Sequence, residues 1–505
     1  MSKNTKTMPL RRTALAIAVG LGFVGLAHGQ ATTGAIRGSA PAGSTVVVQN
    51  VDTGLNRTVT VDQSGHYSVT ALPLGRYSVT LQQNGSEVAR RDNVNIRVSQ
   101  TSDVSFASSE TRTLEGVTVT ASSLPAIDTT TLDTRTVLTA QQLRSVPLPR
   151  NITAAATLAP GVVLGDSRYG NVPSFGGGSV SENAYYINGY NVTNPLTNIG
   201  YLQLPYGTID QLEILTGGYS AAYGHSTGGV INQIGKRGNN DWHFGGQILW
   251  QPKWAREGNP NAYYKYGDNA GQLLDKNDKD KAWSWTTSAY IGGPLIKDTL
   301  FFFLAGEFER QEQQVTTDRE GVLYANAGGY NKYTYKDPRW YGKLDWNIND
   351  SNILEFTYAS DKDKRDAFTQ YSYDYDERHK GDFIGYGSPY KNSTELYVAK
   401  YTSYITDDLT FNAMWGKTKV VRYQGLPQGV DPNLSGTSGI TLQDPSITGG
   451  TPIPPGQPRT AMYDPDRHDG SRGIRLELEY KAGDSHTLLG GFERQVYNTW
   501  NQGTT

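Results

Sequence analysis

The sequence predicts a mainly β protein in three parts: a small N-terminal β-sandwich, an α+β plug domain and a partial transmembrane antiparallel β-barrel. Three observations predict it. First, two apolar segments, Ile209–Leu215 and Val230–Ile234, bracket a run of Gly, Ser, Ala and Tyr within IDQLEILTGGYSAAYGHSTGGVINQIGKRGNN (Ile209–Asn240). Glycine at this density lets backbone pass close to backbone, as a domain wedged inside another structure requires. Second, apolar and polar residues alternate in segment after segment from Trp242 onward. Strands with one apolar and one wet face are the mark of an outer-membrane barrel. Third, the N-terminus carries an export signal.

That signal occupies residues 1–29. Lys3, Lys6, Arg11 and Arg12 form a basic region, and Ala14–Leu26 is an apolar stretch too short to span a bilayer as a helix. Ala27-His28-Gly29 places small residues at −3 and −1, so cleavage is expected before Gln30. N-terminal sequencing of envelope material tests this, and a sequence starting at Met1 refutes it. Composition agrees with an envelope protein. There are no cysteines, which removes disulfides and thiolate chemistry. A mean hydropathy of −0.52 argues against a helical membrane protein and not against a barrel, whose strands show lipid only every second residue. The 32 tyrosines and 9 tryptophans suit interfacial aromatic girdles. A net charge of −2 gives no support for nucleic-acid binding.

Residues 34–106 read as the sandwich. Ala35–Gly38, Ser44–Asn50, Thr58–Asp62, His66–Thr70, Arg76–Leu81 and Asn93–Val98 are short strand signals. Turn signals separate them at Thr53-Gly54, Gln63-Ser64-Gly65, Leu72-Pro73-Leu74-Gly75 and Asn84-Gly85. GAIRG (34–38), STVVVQNVDTG (44–54) and VDQSGHYSVTALPLGRYSV (61–79) resemble the carboxypeptidase regulatory-like domain. The resemblance implies a seven-stranded sandwich of the carbohydrate-binding-like fold. It does not imply sugar binding, because no solvent-facing aromatic platform is evident and fold does not fix function.

A linker, residues 107–137, follows. Within it Leu114-Glu115-Gly116-Val117-Thr118-Val119-Thr120-Ala121 contains a strong β-former with no folded neighbour in sequence. It reads either as one more strand of the sandwich or as an extended peptide that adds to the edge of a partner's sheet. Glu115–Ala121 resembles the TonB box of TonB-dependent outer-membrane transporters. By that resemblance Glu115, Val117, Thr118, Val119, Thr120 and Ala121 bind the periplasmic domain of TonB, which works with an inner-membrane motor complex.

Residues 138–240 read as the plug. Thr139 is the expected N-cap of a short helix through Leu143, and Val146-Pro147-Leu148-Pro149 ends it. Asn151–Leu158 predicts a second helix, and Tyr185–Val192 a hairpin about Asn188-Gly189. VPLPRN (146–151), LAPGV (158–162), YYINGYNVTNP (185–195), the 209–232 stretch and KRGNN (236–240) resemble, in order, the plug of TonB-dependent receptors, and the Oar-like subgroup most closely. One departure is Gln233-Ile234-Gly235-Lys236, where relatives more often carry Thr before the Lys; a changed surface hydrogen bond is expected there.

Residues 241–505 read as the N-terminal part of the barrel. Ile474, Leu476, Leu478 and Tyr480 alternate with Arg475, Glu477, Glu479 and Lys481. A second face of that kind fits a wet lumen and not the core of a soluble sandwich, the competing reading. Similar alternation places Trp242, Phe244, Ile248 and Trp250, then Phe302, Leu304 and Phe308, then Leu344, Trp346 and Ile348, then Leu409, Phe411, Ala413 and Trp415 on lipid. Short turns are expected at Gly292–Thr299, Asn349–Asn352, Thr406–Asp408 and Ala482–Ser485, facing the periplasm. Long polar outer connections are expected at Pro252–Lys281, Gln311–Arg339, Ser360–Ser393 and Val421–Arg472. About nine strands fit, against roughly 22 for plugged transporters, so an incomplete barrel is expected.

Catalytic patterns are weak. The seven histidines (28, 66, 225, 243, 379, 468 and 486) show no paired-ligand spacing. DKNDKD (275–280) and DKDKRD (361–366) lack the Gly-turn-Glu pattern of a calcium loop and read as solvated outer loops. The expectation is a non-enzymatic, cofactor-free receptor of the outer membrane of a Gram-negative bacterium, in contact with lipid, TonB and an unidentified ligand. Siderophore, glycan, peptide and cobalamin stay open. The alternatives are a non-transporting adhesion or protein-export factor on the same scaffold, and a carbohydrate-binding surface protein.

Overall fold

The structure is a computed structural model that describes residues 32–106, 133–166, 169–200, 202–220, 222–224, 226–258, 260–278, 280–317, 329–424, 468–483 and 486–499. The first unit has seven strands: β1 (Thr33–Ser39), β2 (Thr45–Asn50), β3 (Asn56–Thr60), β4 (His66–Pro73), β5 (Gly75–Gln83), β6 (Ser86–Ile96) and β7 (Thr101–Asp103). They form two sheets, β4-β1-β7 and β3-β2-β5-β6. Ile36, Val46, Val48, Tyr67, Tyr77 and Val79 fill the space between them. Buried tyrosines need a partner for the hydroxyl. The Tyr77 hydroxyl donates to the Pro73 carbonyl at 2.7 Å, and that of Tyr67 to the Val104 carbonyl. Strand β6 begins well before the expected Asn93. Asn84 and Gly85, at φ 51° and 77°, close a tight hairpin whose two central residues are both left-handed, so pairing resumes at Ser86.

The second unit holds β8 (Thr134–Thr139), helices α1 (Ala140–Ser145) and α2 (Ile152–Ala156), then β9 (Val162–Leu164), β10 (Pro173–Phe175), β11 (Ala184–Ile187), β12 (Tyr190–Asn191), β13 (Ile209–Gly217) and β14 (Val230–Gly235). Its main sheet runs β12-β11-β14-β13-β8, with β8 at the edge. Helix α1 starts with a reciprocal cap: Gln142 N–H donates to Thr139 Oγ1 and Thr139 N–H to Gln142 Oε1. The β11–β12 hairpin turns at Asn188-Gly189, again at positive φ in both.

The third unit is an antiparallel meander. It contains β15 (His243–Gln251), β16 (Ala262–Tyr263), β17 (Leu273–Asp275), β18 (Lys281–Ile296), β19 (Leu300–Thr316), β20 (Tyr330–Asn349), β21 (Asn352–Arg365), β22 (Thr369–Asp374), β23 (His379–Tyr386), β24 (Tyr390–Tyr404), β25 (Leu409–Gln424), β26 (Asp469–Ala482) and β27 (His486–Asn498). The path is β15-β18-β19-β20-β21-β24-β25-β26-β27, and among the described residues its two ends do not pair with each other. The faces are sorted as the alternation predicts. Leu344, Trp346 and Ile348 point out, while Lys343, Asp345 and Asn347 are buried on the inner side. Ile474, Leu476, Leu478 and Tyr480 are likewise exposed and Arg475 is buried.

Two outer connections are shorter than expected. β19 runs on to Thr316 and β20 starts at Tyr330, so the Gln311–Arg339 stretch is mostly strand. The Ser360–Ser393 stretch carries the end of β21 and the β22–β23 hairpin. Both contain Tyr and Thr, which favour extended pairing.

Candidate functional site

The plug sits against the inner face of the meander, and the two share one core. Leu143, Ile152, Tyr185 and Ile187 from the plug join Phe303, Tyr341, Leu396 and Met414 from the wall. Phe301 and Phe303 face inward, opposite Phe302 and Leu304 on the same strand. Phe303 stacks on Tyr290 with ring centres 5.7 Å apart and packs against Tyr341, giving the plug an aromatic seat.

Gly235 shows how close the fit is. A β-carbon built there would lie 2.2 Å from Tyr341 Oη. The Tyr341 hydroxyl donates to the Lys236 carbonyl at 3.1 Å, and Asn188 Nδ2 donates to Tyr341 Oη at 3.3 Å and Thr357 Oγ1 at 3.0 Å. The expectation of a changed surface hydrogen bond at Gln233–Lys236 is therefore corrected. Gln233 is fully buried and donates to the Leu202 carbonyl, and Gly235 is where the plug meets the wall.

Charge fixes the same interface. Arg237, just past the plug's last strand, reaches Asp345 at 2.8 Å and Glu355 at 3.8 Å. Lys343 joins them at 2.9 Å from Glu355, and Lys400 at 3.9 Å. Burial opposes the Arg237 charge, yet Asp345 and Glu355 outweigh it and raise its pKa. A second anchor lies around Arg339, which binds Glu307 at 3.0 Å and Asp361 at 3.2 Å. The plug supplies Arg150, 3.7 Å from Glu307, and the Gln203 N–H, which donates to Asp361 at 3.1 Å. The DKDKRD run is thus not a solvated loop: its first residue holds the plug from strand β21. A third contact runs from Arg475 Nη1 to the Gly189 carbonyl at 3.3 Å.

The edge strand β8 has its own lock. Arg135 pairs with Asp133 and lies 3.5 Å from Glu213 on β13. Glu213 also accepts from Tyr223 at 3.2 Å and Asn232 at 3.1 Å. Burial works against the Arg135 charge, and Glu213 and Asp133 raise its pKa nonetheless. Buried charges of this kind persist only when paired and hydrogen-bonded. The sequence signal for these residues is faint, since a lone Arg or Glu in a strand does not announce its partner. The predicted partner-binding residues Glu115, Val117, Thr118, Val119, Thr120 and Ala121 lie outside the described residues. The described chain resumes at Asp133, one residue before β8.

Residues 28–109 match the carboxypeptidase regulatory-like domain family, and residues 128–230 the TonB-dependent receptor plug domain family. The chain is 28% identical over 386 residues to the TonB-dependent transporter Oar of Myxococcus xanthus, an alignment covering 69% of this chain and 35% of that protein. It is 27% identical over 161 residues to the probable TonB-dependent siderophore receptor PirA of Acinetobacter baumannii, covering 32% of this chain and 18% of that one. The chain thus spans about a third or less of these relatives. Among solved structures, PirA of A. baumannii aligns with a TM-score of 0.43 at 18% identity, over 72% of this chain and 48% of that one. The outer membrane transporter YddB of Escherichia coli aligns with a TM-score of 0.46 at 14% identity, over the same shares.

Proposed function

We propose that this chain, which joins a carboxypeptidase regulatory-like domain to a TonB-dependent receptor plug domain and is homologous to the transporter Oar, acts as a TonB-dependent outer-membrane transporter. One observation supports this above the rest. The plug is pinned to the inner wall by Arg237, and its edge strand β8 begins 13 residues after the candidate TonB box. Residues 117–121 add as a strand to the periplasmic domain of TonB, where main-chain bonds give the grip. The outer membrane has no energy source, so a proton-driven inner-membrane motor pulls through that grip on β8 and loosens the plug. The ligand class is unassigned. The relatives are named as a transporter and a siderophore receptor, and no enzymatic step is proposed.

The test is cross-linking from a photoreactive residue at Thr118 to TonB in outer-membrane fractions. Val119→Pro removes a backbone donor from the added strand. Cross-linking should fall at least tenfold while heat-modifiable gel mobility is unchanged. Wild-type cross-linking in the Val119→Pro protein rejects the assignment.

A further inference from the structure

The N-terminal sandwich is packed onto the short-turn end of the meander and onto the plug, and does not stand apart as a tethered bead. Leu55 and Ala71 of the sandwich form an apolar cluster with Ile353 and Tyr404 of the wall. The Tyr404 hydroxyl donates to the Ala71 carbonyl at 2.7 Å, and the Arg57 guanidinium lies 4.0 Å above the Tyr404 ring. The Asn56 N–H donates to Asp350 at 3.2 Å, in the turn between β20 and β21. The Asn240 N–H donates to the Asp52 carbonyl at 2.8 Å, and the Asn240 side chain binds Asp298 in the turn between β18 and β19. Two short turns are therefore engaged, one directly and one through Asn240, together with Tyr404 at the end of β24.

The plug is engaged as well. The Val98 N–H donates to Gln211 Oε1 at 2.9 Å, Arg135 donates to the Ser99 carbonyl, and Ile234 belongs to the sandwich's own core cluster. Between the three bodies lies a cavity of about 320 Å³. Lys236 and Arg237 of the plug, Lys343 and Glu355 of the wall, and Asp52 and Gly75 of the sandwich line it. A solute passing between plug and wall at this point meets the sandwich.

We infer that the sandwich is a second closure of the periplasmic mouth, docked at rest and released by the same pull that loosens the plug. Docking stands on the contacts alone; release rests on the transporter reading above. The geometry couples the two. Phe106, buried at the end of the sandwich, and Asp133, at the head of β8, are the ends of the segment that carries the candidate TonB box. A load applied between them is divided between the sandwich and β8. The Ser99–Arg135 and Val98–Gln211 bonds tie the sandwich to the plug and share that load.

The chain has no native cysteine, so single cysteines report docking directly. Leu55 is 2% exposed and Val51 53%. In outer-membrane vesicles opened to the periplasmic side and lacking TonB, Leu55→Cys should react with a bulky maleimide at least tenfold more slowly than Val51→Cys. A cysteine pair at Gly54 and Asp298 checks that the first substitution has not itself loosened the sandwich. An ideal β-carbon at Gly54 lies 3.3 Å from Asp298 Cβ, close to disulfide spacing, so the pair should oxidise. Equal labelling of the two single variants together with no disulfide overturns docking. In energised cells with TonB, labelling of Leu55→Cys should rise toward that of Val51→Cys, and Val119→Pro should remove the rise. Unchanged protection while position 118 cross-links to TonB overturns release. No cross-link from position 118 removes the transporter reading and release with it, and the TonB-free arm still decides docking.

Discussion

Strand β5 of the sandwich and strand β26 of the wall share a period of two and use it in opposite directions. In β5, Tyr77, Val79 and Leu81 point into a core and are at most 3% exposed. In β26, Ile474, Leu476, Leu478 and Tyr480 are 41–48% exposed, and Arg475 between them is buried. Alternation alone does not say which face is inside. The other face does. In β5 the intervening residues are Ser78 and Thr80, small enough to sit under a neighbouring body. In β26 they are Arg475, Glu477 and Glu479, whose charges demand water or partners. Arg475 meets that demand on the plug's Gly189 carbonyl and Glu479 on Thr70 of the sandwich, so the inner face is a polar interface and the outer face is what a soluble protein would bury.

The largest expected effect breaks the polar side of this contrast. Asp345→Ala leaves Arg237 and Lys343 buried with one carboxylate fewer, and breaking a buried pair in this way costs about 3–5 kcal/mol. Urea titration of the detergent-solubilised protein, read by tryptic release of the plug, should show release at lower urea while the wall keeps its heat-modifiable mobility. Release at the wild-type midpoint means that the charges do not hold the plug.

The next effect tests the outer face. Leu476→Arg should cost ~2–4 kcal/mol near the bilayer midplane, while Glu477→Arg, on the wet side, should cost little. Assembly scored by gel mobility in outer-membrane fractions separates them. Equal tolerance, or damage only at 477, means that the faces are inverted.

The smallest effect lies inside the plug, where ordinary soluble rules apply. Thr139→Ala removes the N-cap of α1 and should cost about 1 kcal/mol. The same urea titration should show a modest shift, and none if β13 alone holds β8 in place.

Much of this architecture is legible in the sequence because its signals are local. The Ile474–Lys481 alternation, the Asn188-Gly189 turn and the Thr139 cap each depend on residues within a few positions of one another. What escapes reading is contact between distant segments. Gly235 looks like a loop glycine until Tyr341 is seen to occupy the space its side chain would need. Asp361 looks like part of a solvated charge run until the Gln203 N–H is found on it. Arg237 is one basic residue among several, and only the fold brings Asp345 and Glu355 to it. The docking of the sandwich depends on turns some 250 to 350 positions away along the chain, beyond any local pattern.

The bond between Arg135 and the Ser99 carbonyl also sets a search radius. It ties the sandwich to β8, so the segment that carries the candidate TonB box is fixed to one docked assembly at both ends. Val119 lies 13 residues beyond Phe106 and 14 before Asp133 by the numbering. A fully extended chain covers at most ~3.6 Å per residue, so Val119 can lie no farther than about 50 Å from Phe106 or Asp133. On the proposed transporter reading, TonB must cross the rest of the gap itself. Capture is then governed by how far that partner reaches and how often it sweeps this small volume. Shortening the segment should slow engagement long before it weakens the grip.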